Sequence, residues 1–255
     1  MEFTNKRKRR LIQAVAMFLL LQPLFLGTGF WFGTYLSADF LGLALTDPLT
    51  VLEVSAAAHR LWLPLLLSCL PLVLAAMIFG RIFCSFICPL HFFLEFLPEE
   101  KKKQTAPRGP LFVLLLVLLF SFLLEVPVFA MFSPVHIVQR LLLFGVGLEG
   151  LFLAALALFS FFQGAKSWCR LLCPLGALYG LLGFRRRLVI ETNPDRCTGC
   201  RRCEQVCTMG THPVQDDFLS AYMCTNCGDC IDSCQTKALS YSFGKSDEKK
   251  RGEPL

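Results

Sequence analysis

The stretch that decides the architecture is Cys197-Thr198-Gly199-Cys200-Arg201-Arg202-Cys203-Glu204-Gln205-Val206-Cys207, answered by Cys224-Thr225-Asn226-Cys227-Gly228-Asp229-Cys230-Ile231-Asp232-Ser233-Cys234. Both runs separate their cysteines by two, two and three residues, and each cysteine recurs 27 positions later. These eight belong to a total of 13 cysteines in 255 residues. Upstream the chain changes character. Overall 55% of residues are hydrophobic and only 17% charged, against about a quarter charged in an ordinary soluble domain. That composition, with 25 Phe and 14 Pro, argues against a soluble enzyme.

Four apolar runs carry the excess. Leu11–Leu36 and Leu61–Gly80 contain no Asp, Glu, Lys or Arg, while Pro110–Phe132 carries only Glu125 and Leu141–Phe162 only Glu149. Each approaches or exceeds the roughly 20 helical residues that cross a hydrocarbon core, so the pattern predicts four transmembrane helices. Lys and Arg cluster before the first run, between the second and third and after the fourth, 15 in all, with only Arg60 and Arg140 in the two opposite loops. That bias places both termini on the cytoplasmic side of a multi-pass inner-membrane protein. The 26-residue first run is too long for a cleavable signal core. Basic runs such as Lys101–Lys103 are explained by topology and anionic lipid rather than nucleic acid.

Thiolates are soft ligands that suit iron–sulfur cores and zinc. The doubled 2-2-3 spacing is that of two-cluster ferredoxins, in which the fourth cysteine of each run reaches across to the other cluster. It assigns Cys197, Cys200, Cys203 and Cys234 to one [4Fe–4S] cluster, and Cys224, Cys227, Cys230 and Cys207 to the second. A zinc ribbon needs only Cys-x2-Cys pairs, and disulfides are disfavoured in a reducing compartment. Strand-like runs at Arg187–Glu191 and Ala238–Phe243 would pair as an edge hairpin.

Two further motifs, Cys84-x3-Cys88-Pro89 and Cys169-x3-Cys173-Pro174, recur 85 residues apart, each after the second helix of an apolar hairpin. Asp47-Pro48-Leu49 and Ser133-Pro134-Val135 in the outer loops echo one another at an offset of 86, which suggests duplicated hairpins. Proline at a first helical position places Cys88 and Cys173 at helix N-termini, where the dipole favours thiolate. Pro89–Leu97 and Pro174–Gly183 would be short interfacial helices. Together Cys84, Cys88, Cys169 and Cys173 supply four thiolates, enough for a third metal or cluster; two redox-active dithiol pairs or structural cysteines are the alternatives. Cys69 reads as packing.

The expected fold is thus an all-α membrane bundle of four transmembrane helices in two repeated hairpins, followed by a C-terminal α+β two-cluster ferredoxin domain. Its parts are a basic tail over 1–10, the membrane domain over 11–187, the ferredoxin domain over 188–244 and a flexible tail over 245–255.

Gly80-Arg81-Ile82-Phe83-Cys84-Ser85-Phe86-Ile87-Cys88-Pro89-Leu90, Trp168-Cys169-Arg170-Leu171-Leu172-Cys173-Pro174-Leu175-Gly176-Ala177-Leu178-Tyr179-Gly180 and the terminal double cysteine run resemble the NapH/MauN family of membrane ferredoxin-type proteins. Thr46-Asp47-Pro48-Leu49, Pro134 and Arg140 resemble its NapH branch in particular. The resemblance implies an electron-transfer subunit rather than a stand-alone enzyme. It would take electrons from quinol in the membrane and pass them through a periplasmic ferredoxin-type partner towards a periplasmic reductase, nitrate reductase for the NapH branch. The alternative within the family is supply of electrons for metalloenzyme maturation, of nitrous-oxide reductase, or for methylamine oxidation.

Quinol oxidation releases protons as well as electrons, and ionisable groups at membrane depth are functional candidates. The candidates are Glu125 and Glu149 in the outer halves of their helices, and His59 and His136 beside the outer loops; histidine is a natural proton acceptor near neutrality. The resemblance also places a histidine at His59. The ordinary alternatives are solvated loop histidines and a Glu paired with Arg140. His91, just after Cys88-Pro89, reads as an interfacial side chain.

Overall fold

The computed structural model describes residues 5–26, 31–33, 37–40, 43–97, 108–145, 147–164, 166–214 and 218–244. Lys101–Lys103 and the tail over 245–255 lie outside the described residues. Helix α1 (Asn5–Leu26) opens the chain, so residues 5–10 form its first turns rather than a tail. A three-stranded antiparallel sheet follows, of β1 (Trp31–Gly33), β2 (Ser37–Phe40) and β3 (Leu43–Thr46). This corrects the all-α expectation for the bundle: the first predicted span ends as helix at Leu26. The sequence beyond Leu26 is rich in Gly, Thr and aromatics, which disfavour helix and favour strand.

The next elements come in pairs. Helices α2 (Pro48–Ala57), α3 (Leu63–Phe79), α4 (Ile82–Phe86) and α5 (Pro89–Leu94) are followed by α6 (Arg108–Leu124) and a short α7 (Val128–Phe132). Then come α8 (Pro134–Phe144), α9 (Glu149–Gln163), α10 (Ser167–Leu171) and α11 (Pro174–Leu182). The two halves repeat in detail. In both α2 and α8 an extended residue, Asp47 or Ser133, precedes a proline at the first helical position. The backbone N–H of Cys88 donates to Phe83 O and that of Cys173 to Trp168 O, both at 3.0 Å.

The expected outer loops are not loops. Asp47, Leu49, Val51 and Glu53 are buried, as are Ser133, Val135, Ile137 and Val138. Helix α2 packs on α3, α6 and α7, and α8 on α5, α7 and α9. The Asp47 side chain accepts from Leu49 N (2.9 Å) and Thr50 N (3.3 Å), closing the first turn of α2. Glu53 accepts from Phe129 N (2.9 Å) and Ala130 N (3.1 Å), satisfying donors at the start of α7.

Four membrane-length helices are also not what the structure holds. Among the described residues no single helix is long and apolar enough to cross a membrane. Helix α6 and the stretch Val128–Val138 reach that length together, but with a bend of 111° between them. The break falls where Glu125 has φ 56° and Pro127 precedes α7, both incompatible with a continuing helix.

The C-terminal lobe contains β4 (Leu188–Thr192), α12 (Arg202–Val206), α13 (Phe218–Met223), α14 (Asp229–Ser233) and β5 (Leu239–Phe243). Strands β4 and β5 pair antiparallel from Leu188↔Phe243 to Thr192↔Leu239, as the strand-like runs predict to within a residue at each end. The lobe does not stand apart. Tyr222 and Met223 belong to the same buried cluster as Leu49, Ala76, Leu114 and Tyr179. Arg9 is fully buried and its guanidinium holds Glu95 of the α5 cap (2.8 Å) and Asp229 of α14 (2.9 Å).

Close approach of α11 to the end of α3 rests on Gly183, where an added Cβ would meet Gly80 Cα and Ala76 O. Backbone cannot retreat as a flexible side chain can, so Gly183→Ala is expected to destabilise the fold by about 1–3 kcal/mol. Gly147→Ala, with nothing within 4 Å, is expected to stay within about 0.5 kcal/mol of the parent. Thermal unfolding of the two variants side by side checks this.

Candidate iron–sulfur sites

In the C-terminal lobe the sequence repeat is also a conformational repeat. Gly199 and Arg201 have positive φ in the first cysteine loop, and Asn226 and Gly228, 27 residues on, have it in the second. Gly210 and Lys237 match in the same way, three residues after Cys207 and Cys234. Alternating left-handed residues turn successive backbone N–H groups inward, making a concave nest for a negative group. Sulfurs do accept such bonds: Thr211 N donates to Cys207 Sγ and Ala238 N to Cys234 Sγ, each at 3.3 Å.

Some cysteines of each expected set act on one another electrostatically. Cys230 feels Cys227, Cys224 and Cys207, whereas Cys200 feels Cys234 and Cys203 feels Cys197. Among the described residues, no three or more His, Cys, Asp or Glu side chains converge closely enough to hold a metal ion. The two sets differ in exposure. Cys200 is exposed and its thiol is lowered by the Arg202 N–H and the Thr198 side chain, whereas burial pushes Cys227 up to about 12.

The loop from Cys224 to Asp229 faces the helical bundle and is gripped by it. Ser85 Oγ donates to Thr225 O (2.7 Å), Asn226 Nδ2 donates to Phe79 O (3.1 Å) and Arg9 donates to Cys227 O (3.2 Å). Tyr241 Oη donates to Asn226 O from the strand side (3.0 Å).

Cys84, Cys88, Cys169 and Cys173 all line one cavity in the bundle, with Phe129, Pro134, Val135 and Trp168 supplying apolar walls. All four are free thiols. Cys88 and Cys173 stand at the N-termini of α5 and α11, and Gly176 N donates to Cys173 Sγ (3.4 Å). The expected thiolate does not follow. Burial pushes Cys88 up to about 12 and Cys173 up to about 11, outweighing the backbone donors. A helix-terminus dipole loses to desolvation here. Ligation would reverse this, because metal binding removes the thiol protons. Four soft donors around one apolar cavity, with the Arg81 guanidinium lining it and acting electrostatically on Cys84, fit a cluster that needs thiolates and positive charge nearby.

Helices α5 and α11 are buried rather than interfacial: Pro174 through Gly180 are all buried, as are Pro89, Leu90 and Leu94. His91, also buried, approaches Gln13 Nε2 through Nδ1 at 3.3 Å. Cys69 is buried and donates to Leu66 O, consistent with packing.

The candidate proton groups lie elsewhere. His59 and Glu125 come together at 3.8 Å, with the imidazole edge-on to Phe122. Glu149 pairs with Arg140 at 2.9 Å, both part-exposed, and His136 Nδ1 contacts Ala130 O at 2.9 Å. None of the four lines the cysteine cavity. His59 precedes α3 and Cys84 follows it, and the 17 residues of α3 rise about 25 Å. The carboxyl near the cysteines is instead Asp47, whose Oδ1 accepts from Tyr179 Oη (3.0 Å), while the Tyr179 ring stacks on Phe83. Its Asp-Pro setting announces only a helix cap, so sequence reasoning passed it over.

The exposure difference is testable without a metal. In chelator-treated, reduced protein, Cys200 is expected to be alkylated at least about tenfold faster than Cys88, since thiolate fraction and access both favour it. Restoring the metal should protect both, as read by mass spectrometry of the labelled peptides.

A family of 4Fe-4S binding domains matches the chain twice, over residues 61–104 and 146–190, the two halves that carry Cys84-x3-Cys88 and Cys169-x3-Cys173. The ferredoxin-type protein NapH of Escherichia coli K12 is 30% identical over 89% of this chain and 85% of its own length. NapH of Haemophilus influenzae is 30% identical over 92% and 88% respectively. The methylamine utilization ferredoxin-type protein MauN of Paracoccus denitrificans is 32% identical over 70% and 68%. No solved structure matches the chain. With the cysteine sites in place, these likenesses make the chain a member of the NapH/MauN family, a ferredoxin-type 4Fe–4S electron-transfer protein.

Proposed function

We propose that this protein is a membrane-embedded electron-transfer subunit that takes electrons from quinol and passes them through iron–sulfur centres towards a periplasmic reductase. The observation that carries the reading is that Cys84, Cys88, Cys169 and Cys173 line one cavity of the bundle, whose core also takes in Tyr222 and Met223 beside Cys224 of the doubled cysteine run. A structural site needs a single metal; a row of redox sites suits conduction. When bound, [4Fe–4S] clusters supply one-electron redox capacity at each set. The side chains exclude water, supply the thiolates and offset their charge.

Membrane embedding is supported by an outward belt of large apolar side chains, among them Leu63, Leu67 and Leu74 of α3, Phe112, Leu115 and Leu119 of α6, and Leu151, Leu158 and Phe162 of α9. A water-soluble surface rarely exposes so extended an apolar patch. Bilayer insertion, with both termini cytoplasmic, makes that belt the lipid contact. On this reading the acceptor is nitrate reductase, reached through a periplasmic ferredoxin-type partner, as the resemblance to the NapH branch implies. Likeness to a methylamine utilization ferredoxin-type protein supports the second reading, electrons for methylamine oxidation.

For proton release, Asp47 is the better placed carboxyl, because Tyr179 and Phe83 connect it to Cys84. The His59–Glu125 pair would serve a second role at the outer surface, passing protons to water. Asn caps a helix as well as Asp, so Asp47→Asn removes the proton site and keeps the fold.

Anaerobically reconstituted protein in detergent should carry about 12 iron atoms per chain, and Cys84→Ser/Cys169→Ser about eight. Equal iron in both would remove the third site. Menaquinol should reduce the clusters of the parent, and about a hundredfold more slowly those of Asp47→Asn, with smaller losses for His59→Ala and Glu125→Gln. Dithionite, which needs no proton acceptor, should reduce all of them alike. Parent clusters that stay oxidised in menaquinol would overturn the quinol assignment.

A further inference from the structure

Arg81 is only 2% exposed, yet among the described residues no carboxylate lies within ion-pair distance of it. Its Nη1 donates to Tyr222 O (3.4 Å) and Met223 Sδ (3.3 Å), its guanidinium lies 5.8 Å from the Tyr222 ring centroid, and it acts electrostatically on Cys84, which lines the same cavity. Its Nε has no partner. It lines the four-cysteine cavity. Gly176 on α11 leaves the room, for a Cβ there would strike Nη2. A buried cation with only neutral neighbours is strongly unfavourable. Four protonated thiols offer no compensation, whereas four thiolates around an iron–sulfur core carry net negative charge.

The repeat supplies a counterpart. Lys166 stands three residues before Cys169, as Arg81 stands three before Cys84. It is 6% exposed and donates to Thr208 Oγ1 at 3.1 Å, while acting electrostatically on Cys169 and Glu95. Thr208 follows Cys207, and Met223 precedes Cys224. Each half of the bundle therefore sends one cation from its own cysteine motif to the shoulder of the same ferredoxin loop pair. Tyr222, which contacts Arg81, also lies within reach of Cys173.

We propose that Arg81, seconded by Lys166, is the charge-compensating residue of a centre held by Cys84, Cys88, Cys169 and Cys173. The same two residues join that centre to the cluster site of Cys207, Cys224, Cys227 and Cys230. This rests on the reading that the bundle cysteines hold an iron–sulfur centre. Of the two cysteine sets in the lobe, the one with the Cys224 loop is gripped by the bundle, and the other contains the exposed Cys200. Were a cluster bound there, Arg81 would favour its reduced, more negative state.

The test uses the full chain, reconstituted anaerobically in detergent, with iron and sulfide assays and an EPR-monitored potentiometric titration by dithionite. The parent, Arg81→Gln, Arg81→Lys and Lys166→Gln are compared, with Cys84→Ser/Cys169→Ser identifying the bundle signal. Arg81→Gln should make reduction of that centre at least about tenfold less favourable, shifting its midpoint downward. Arg81→Lys should restore most of the shift, and Lys166→Gln should show a smaller one in the same direction. Loss of that centre in Arg81→Gln but not in Arg81→Lys would also support the charge role. Loss in both, or an unchanged midpoint in Arg81→Gln, would overturn it. Parent protein with no more iron than the double cysteine variant would instead refute the underlying bundle centre, a result distinct from an unmoved midpoint.

Discussion

A thiol in an apolar cavity does not ionise without help, and the bundle lines one cavity with four of them, Cys88 buried and Cys84, Cys169 and Cys173 half-buried. Desolvation opposes each negative charge, and each thiolate formed would oppose the next. A metal core taking the thiol protons' place, with fixed cations nearby, would remove the energetic obstacle. Much of the surrounding structure follows from that need. Arg81 requires Gly176 to stand aside, Tyr222 to offer its carbonyl and ring, and a C-terminal lobe packed tightly enough to deliver both. The terminal lobe is thus part of the bundle's core rather than a tethered appendage.

The same need accounts for the inward-folded connections. Pro48 and Pro134 start short helices that carry apolar side chains into the bundle, where Val135 and Phe129 wall the cysteine cavity. Loops would leave backbone donors unsatisfied in that setting. Capped helices satisfy their own, with Asp47 and Glu53 accepting from the free backbone donors in the first turns of α2 and α7. The polar residues buried here are therefore bound to backbone as well as placed near chemistry. Asp47 does both, since one oxygen caps α2 while the other meets Tyr179.

Charge placement carries two messages in this chain. Basic residues at helix ends report topology when they are solvated. Arg9, Arg81 and Lys166 occupy the same sequence positions such residues would, but they are buried and bound. Their removal would leave carboxylates or cysteine sulfurs without compensation, unlike the part-exposed Arg140–Glu149 pair, which is worth about 0–1 kcal/mol at most.

What could be read from the chain alone was whatever depends on near neighbours. Thiol ligands come in local runs, so their 2-2-3 spacing, the 85-residue echo of Cys-x3-Cys-Pro and the strand pair closing the lobe were all legible. So was family membership, because the motifs are short and contiguous. Helix lengths, the strands after α1 and the sharp turn at Glu125 were not, since apolar composition alone does not say where an apolar run bends. Least legible was which polar groups are buried. Arg81, Lys166, Asp47 and Glu53 look in sequence like topology signals and caps. Only the packing of α2, α11 and α13 against one another's neighbours removes them from water, and burial, a property of distant contacts, decides whether a charge is ornament or counter-ion.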